Sequence, residues 1–199
     1  MPGKFIVMEG IDGSGKSSQV EFLINWLKQN NIKYYLTDEP STKGLRDMIK
    51  KLVSDKTKLD DASLDALLFT ADRRFHILTE ILPELENNEF VICDRYYHST
   101  YTYQQTQGMD LNWLISINKY AIKPDLTLIF DVPAEVAVKR IEKSGRDVID
   151  KFEKAEFLEK LRKNYLKLPE QLDEKIIIID SNRTKEEIFE DVKKIISAL

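Results

Sequence analysis

Gly10-Ile11-Asp12-Gly13-Ser14-Gly15-Lys16-Ser17 is the stretch that decides how this chain is read. It matches the phosphate-binding pattern G-x-x-x-x-G-K-[ST] in full. Lys4-Phe5-Ile6-Val7-Met8 ahead of it is a short apolar run that reads as a buried strand. Behind it, Val20, Leu23, Ile24 and Leu27 recur at helical spacing between Ser18 and Gln29. A strand, a Gly-rich turn and a helix form the context that gives the motif its meaning. The glycines let the backbone curl until several N–H groups face phosphate oxygens, and the helix N-terminus adds positive potential. Gly10, Asp12, Gly13, Ser14, Gly15, Lys16, Ser17 and Ser18 are therefore the expected nucleotide-phosphate site. Lys16 brings a point charge to the transferring phosphates, and the Ser17 hydroxyl is a ligand for Mg²⁺.

Outward from the loop, apolar β-branched runs at 4–8, 33–36, 90–93, 125–131 and 175–180 alternate with helical patterns. Those patterns lie near 15–29, 43–54, 60–82, 110–120, 133–143, 151–168 and 184–197. The alternation predicts an α/β fold: one parallel sheet of five strands covered by helices on both faces, with the ligand site beyond the strand carboxyl ends. Ile176-Ile177-Ile178-Ile179 is continuously apolar and predicts a strand buried on both sides. The length of 199 residues suits one domain. A net charge of −4 gives no electrostatic basis for nucleic-acid binding. No apolar run approaches the roughly 18 residues that span a membrane, and the first residues lack a signal-peptide h-region. Cys93 is the only cysteine, so an internal disulfide is impossible. The expected setting is cytoplasmic, without membrane or nucleic-acid partners.

A phosphate loop specifies a nucleotide, not a reaction. The nearest guanine-reading candidate, Asn118-Lys119-Tyr120-Ala121, lacks the Asp that would accept guanine's donors. The next informative stretch is Asp94-Arg95-Tyr96, which directly follows the run Phe90–Cys93. That position places Asp94 at the carboxyl edge of the sheet, where a carboxylate can order water around Mg²⁺. Arg95 supplies a fork for a second phosphate group. Phe69 and Arg73 stand four apart on one helix face. An aromatic plane beside a guanidinium can stack on and hydrogen-bond a flat base.

Taken in order over nearly the whole chain, these segments resemble the thymidylate kinase family, within the P-loop nucleoside monophosphate kinases. The matching residues are Glu9 through Ser17, Glu39-Pro40, Leu45-Arg46, Leu68-Phe69 with Ala71 and Arg73, and Asp94-Arg95-Tyr96 with Ser99, Thr100, Tyr103 and Gln104. Lys123-Pro124-Asp125-Leu126 follows, and Asp150-Lys151-Phe152-Glu153 is a weaker match. The resemblance implies a P-loop NTPase fold and transfer of the γ-phosphoryl of Mg·ATP to dTMP, giving dTDP and ADP. It implies that Asp12 contacts the sugar 3′-hydroxyl and that Arg46 and Arg95 bind the acceptor phosphate. Phe69 would stack on thymine and Arg73 would bond its edge. Ser99, Thr100 and Gln104 complete the acceptor site, and Tyr103 packs against C2′ to disfavour ribose. Glu39 and Asp94 would order the Mg²⁺ shell with Ser17, and Glu39 also belongs to the implied dTMP site. A homodimer is also implied.

Some family members carry an Arg in the loop at the position of Gly13; this chain does not. The resemblance then places the transition-state cation in a lid spanning about 140–153, with Arg146 as that cation, Gly145 as hinge and Arg140 over adenine. The acceptor-binding region spans about 38–75 and 94–108. Lys151 replaces an Arg common at its position, Asp38 stands where bacterial members often have Arg, and Thr102 replaces a common Ala beside Tyr103. Two rival functions remain at this point: a kinase of the same fold acting on another pyrimidine nucleotide, and an ATP-binding switch protein without transfer.

Overall fold

The computed structural model describes residues 3–41, 44–54, 61–144 and 151–199. Among the described residues there are five strands: β1 (Lys4–Glu9), β2 (Tyr34–Asp38), β3 (Phe90–Asp94), β4 (Leu126–Asp131) and β5 (Ile176–Asp180). They form one sheet in the order β2-β3-β1-β4-β5, every pair parallel. The helices are α1 (Lys16–Gln29), α2 (Arg46–Ser54), α3 (Ala62–His76), α4 (Leu82–Asn87), α5 (Tyr97–Thr106), α6 (Leu111–Ile117), α7 (Ala134–Lys143), α8 (Lys151–Gln171) and α9 (Lys185–Ser197). A π-helical turn at Ile77–Ile81 joins α3 to α4, so the predicted continuous helix over 60–82 is three pieces.

Alternation along β1 divides the core in two. Ile6 and Met8 pack with Val20, Leu23 and Leu27 of α1 and Ile188, Val192 and Ile196 of α9. Phe5 and Val7 point the other way, into a larger cluster built by α3, α5, α7 and α8. The helix after β1 thus covers one face while the helices after β4 cover the other. A crevice opens past the carboxyl ends of these two neighbouring strands, and the phosphate loop occupies it. The expected α/β fold, a five-stranded parallel sheet covered on both faces, is the observed one.

Two expectations are corrected. The Ile176–Ile179 run is not buried on both sides: β5 is an edge strand and Ile178 is 40% exposed. Edge position leaves one flank of a strand without a neighbour, whatever its side chains prefer. The second correction is α5, where no helix was expected. Its sequence Tyr-His-Ser-Thr-Tyr-Thr-Tyr-Gln-Gln-Thr has no Leu, Ile, Val or Phe; Tyr97 and Tyr101 enter the core, and His98, Thr100, Thr102 and Gln104 are buried beside them.

The start of α5 explains how such a helix is held. Its N-cap, Tyr96, offers no side-chain cap. The carboxylate of Glu9, at the end of β1, does that work from outside. Its Oε1 accepts from the backbone N–H of Tyr96 (2.7 Å) and of Ser99 (3.1 Å). Its Oε2 accepts from the hydroxyls of Ser99 (2.8 Å) and of Tyr165 on α8 (2.8 Å). Helix N-termini leave backbone donors without intrahelical partners, and a carboxylate also suits the helix dipole. Replacing Glu9 by Ala would strand these buried donors. A loss of about 3 kcal/mol is expected on denaturant unfolding; an unchanged midpoint would show that α5 does not depend on Glu9.

Candidate active site

The phosphate loop runs from Gly10 to the N-cap Gly15, where α1 begins. Two of its glycines are required by space as well as by backbone angle. Gly10 has φ +141° and Gly13 φ +79°. A Cβ would lie 2.6 Å from the Phe130 carbonyl at Gly10 and 2.5 Å from the Ala137 carbonyl at Gly13. The loop is thereby pressed against β4 and α7. Lys16 is buried and its Nζ donates to the Gly10 carbonyl at 2.9 Å. Burial, reinforced by the nearby Arg95, lowers its pKa to about 8, against the pull of Asp94, Asp12 and Glu9. The Ser14 hydroxyl is buried without a partner.

Asp94 ends β3 beside Met8 of β1, at the sheet edge. Burial raises its pKa, opposed by Lys16 and Arg95. Its Oδ1 is buried and has no hydrogen-bond partner. Arg95 follows with φ +71°, a conformation that L-residues rarely adopt. It is fixed by its N–H to the Met8 carbonyl (3.0 Å) and by the Cys93 thiol donating to its own carbonyl (3.0 Å). The turn aims the guanidinium at Asp12 Oδ1 (2.6 Å), at the Ser99 hydroxyl (3.1 Å) and over the Tyr103 ring.

Two cavities meet at this point. The larger, about 580 Å³, is walled by the loop from Asp12 to Ser18, by Asp94, and by Arg140 and Arg183. The smaller, about 340 Å³, is walled by Glu39, Phe69, Arg73, Ser99, Thr100, Tyr103 and Gln104. Asp12 and Arg95 line both. The residues expected around ATP thus gather in one cavity and most of those expected around dTMP in the other. Gly10 contributes its carbonyl to Lys16 rather than to the wall.

Three expected residues stand differently. Arg46 lines neither cavity: its Nε donates to the Pro40 carbonyl (2.6 Å) and its Nη2 pairs with Asp38 Oδ1 (2.6 Å). Glu39 lines the smaller cavity, whereas Ser17 and Asp94 line the larger; its backbone N–H donates to the Asp94 carbonyl (3.1 Å), but one carboxylate oxygen is bonded to Arg73 and the other to His76. Arg140 is already committed to backbone, bonding the Ser181 carbonyl at 2.9 Å and lying 3.4–3.5 Å from the carbonyls of Ser14 and Gly13. Arg146 and Gly145 lie outside the described residues.

Several residues of the site gave no signal in the sequence. Asp72 is buried and accepts from the Ser41 and Leu45 N–H groups (both 2.6 Å), shaping the turn that leads into Arg46. Gln19 ties α1 to the start of α9 through the Lys185 carbonyl (2.9 Å). Glu9 carried a hint, as an acidic residue closing an apolar run.

For a metal, the Ser17 hydroxyl and the partnerless Asp94 Oδ1 both belong to the larger cavity. Among the described residues no group of three or more His, Cys, Asp or Glu side chains forms a metal cage. That donor set fits Mg²⁺ held largely by phosphate oxygens and water, which needs only one or two protein ligands.

The sequence model of one family, thymidylate kinase, matches residues 8–192. A probable thymidylate kinase of Pyrococcus horikoshii is 39% identical over 197 residues, covering 96% of this chain and 95% of the relative. One from Staphylothermus marinus is 41% identical over 194 residues, covering 98% and 94%. The thymidylate kinase of Clostridium novyi is 35% identical over 198 residues, covering 96% and 97%.

The Lys16 environment yields a signed prediction. In the free protein its pKa is about 8, against 10.5 for an exposed lysine. Above about pH 8 the free protein is therefore short of a proton that bound triphosphate would restore. ATP binding should take up a proton there, measured by calorimetry in two buffers of different ionisation heat, and the uptake should fade toward lower pH. Zero uptake above pH 8 would place Lys16 away from the phosphates.

Proposed function

The chain belongs to the thymidylate kinase family, and from that premise we propose that its two cavities hold ATP and dTMP for direct, in-line transfer of the γ-phosphoryl group to the acceptor phosphate. The products are ADP and dTDP. The observation that carries the reading is the shared wall: Asp12 and Arg95 border both cavities, so donor and acceptor phosphates would meet there. No covalent enzyme intermediate is needed, and catalysis rests on position and electrostatics.

In this proposal the loop N–H groups, Lys16 and Ser18 grip the donor phosphates, and Arg140 lies over adenine. Mg²⁺, held by Ser17 and Asp94, would neutralise charge on the transferring group. Arg95 binds the acceptor phosphate. Arg46 joins it by exchanging the Asp38 carboxylate for the phosphate, both being bidentate partners for a guanidinium. Asp12 takes the sugar hydroxyl, Phe69 stacks on the base, and Thr100 and Gln104 complete its pocket with Arg73. Tyr103 stands against C2′. Glu39, with both oxygens occupied, serves the base pocket by holding Arg73. Arg146 meets the developing charge.

A single-domain homodimer in the cytoplasm belongs to the same proposal. Support for the dimer comes from α3 and its continuation. Their inner face carries Asp72, Arg73, His76 and Glu80, and their outer face exposes Leu67, Phe75, Leu78 and Leu82. An apolar stripe on the outer side of a helix suits a second copy of the chain.

ADP release measured against dTMP, dUMP, dCMP, UMP and AMP tests the substrate, with dTMP expected far above the rest; ATP binding without turnover on any acceptor would favour a switch protein. Arg146→Ala should lower kcat by about 10³-fold, the worth of an arginine at this kind of transition state, and an unchanged kcat would remove Arg146 from the mechanism. Leu78→Glu should convert a dimer to monomer by light scattering. Dimers that persist would move the interface elsewhere.

A further inference from the structure

Phosphoryl transfer makes no use of Asn118 or His76, although both are buried behind the base pocket, Asn118 bonded to Arg73 and His76 to Glu39. We propose that they are positioning residues for base selection: with Glu39, they lock the Arg73 guanidinium into the orientation that accepts a 4-oxo pyrimidine and rejects a 4-amino one. The inference rests on the dTMP assignment above and concerns how that pocket chooses its base.

Arg73 is 2% exposed yet borders the smaller cavity. Its guanidinium has five N–H groups, and three are committed, one on each nitrogen. Nε donates to Glu39 Oε2 (2.8 Å), Nη1 to Asn118 Oδ1 (2.6 Å) and Nη2 to Thr100 Oγ1 (3.1 Å). The Tyr96 ring lies 5.4 Å from its central carbon. With a bond on every nitrogen, the plane can neither rotate nor slide. One N–H on each of Nη1 and Nη2 remains, with its direction set.

The supports are themselves held. The Asn118 Nδ2 donates to the Leu114 carbonyl at 2.9 Å. That bond settles the amide orientation, so the oxygen must face Arg73. Glu39 Oε1 lies 3.2 Å from His76 Nδ1. An ionised carboxylate can only accept, so Nδ1 carries the proton. The other ring nitrogen lies 2.7 Å from the Thr37 hydroxyl. Arg73 is thus braced from the segment after β2, from the end of α3 and from the end of α6. Nothing in this arrangement touches the phosphates.

Fixed N–H donors favour a carbonyl at position 4 of the pyrimidine, as in thymine or uracil. A cytosine would present its amino group there, donor against donor, leaving buried polar groups unpaired. A guanidinium free to turn would lose that discrimination. Removing a brace should therefore weaken selection and acceptor binding more than turnover.

The test compares wild type with Asn118→Ala and His76→Phe, using dTMP and dCMP as acceptors and recording thermal unfolding alongside. For Asn118→Ala the KM for dTMP should rise about tenfold or more, and the kcat/KM ratio of dTMP over dCMP should fall by a similar factor. The KM for ATP and the kcat at saturating dTMP should stay within about twofold. His76→Phe, one bond further from the base, should shift the ratio in the same direction by less. A purely structural role would lower thermal stability and leave the ratio alone. An unchanged ratio in whichever variant folds overturns the inference. A wild type that does not phosphorylate dTMP overturns the substrate assignment and this inference with it, so the two failures are distinguishable.

Discussion

The carboxylate of Glu9 is the interaction on which the site most depends. It sits at the end of the central strand, fully buried, and accepts four hydrogen bonds from two helices that are distant in sequence. Burying a carboxylate is costly unless its lone pairs are satisfied. Here they are satisfied by the donors that the first turn of α5 cannot pair internally and by the Tyr165 hydroxyl. The strand that launches the phosphate loop therefore also fixes the helix bearing Ser99, Thr100, Tyr103 and Gln104, and docks α8 on top. Donor and acceptor cavities share one rigid origin, which gives in-line chemistry the fixed geometry it needs.

Arg95 shows how this rigidity is used. Its left-handed backbone is an unfavourable state for an arginine. It persists because the Met8 carbonyl, the Cys93 thiol and the Glu9-bound N–H of Tyr96 hold the residues around it. The result is a guanidinium aimed along the sheet edge rather than away from it. Arg46 is held less firmly, by one exposed carboxylate and one carbonyl, as suits a group that must change partners.

Much of the fold was legible because its signals are local. The phosphate loop is written in eight consecutive residues, and each strand is a short apolar run. Asp94 was placed correctly because a residue directly after a parallel strand must lie at the carboxyl edge. What could not be read depends on contacts between remote segments. Helix α5 shows a weak apolar period because only Tyr97 and Tyr101 enter the core, while its other inward positions are polar and several are satisfied by Glu9, Glu174 and Arg73. Asn118 sits in a stretch that looked like a failed guanine motif; its partner, Arg73, is 45 residues away. Arg46 was expected at a phosphate, and nothing in the spacing reveals that Asp38 holds it.

The four consecutive isoleucines of β5 carry a consequence for the chain's behaviour in a crowded solution. An apolar strand with an open flank is a template on which a foreign strand can be laid down. Along this flank a shallow groove about 250 Å³ in volume is bordered by Asp180, Arg183, Asp191 and Lys194. Arg183 bridges to Asp191 at 2.7 Å, and Lys194 lies 4.0 Å from the same carboxylate. Charges so placed act as gatekeepers: an incoming strand would have to strip their water before it could pair. The four consecutive isoleucines are thereby bordered by charge, and one of those charges, Arg183, also reaches the wall of the larger cavity.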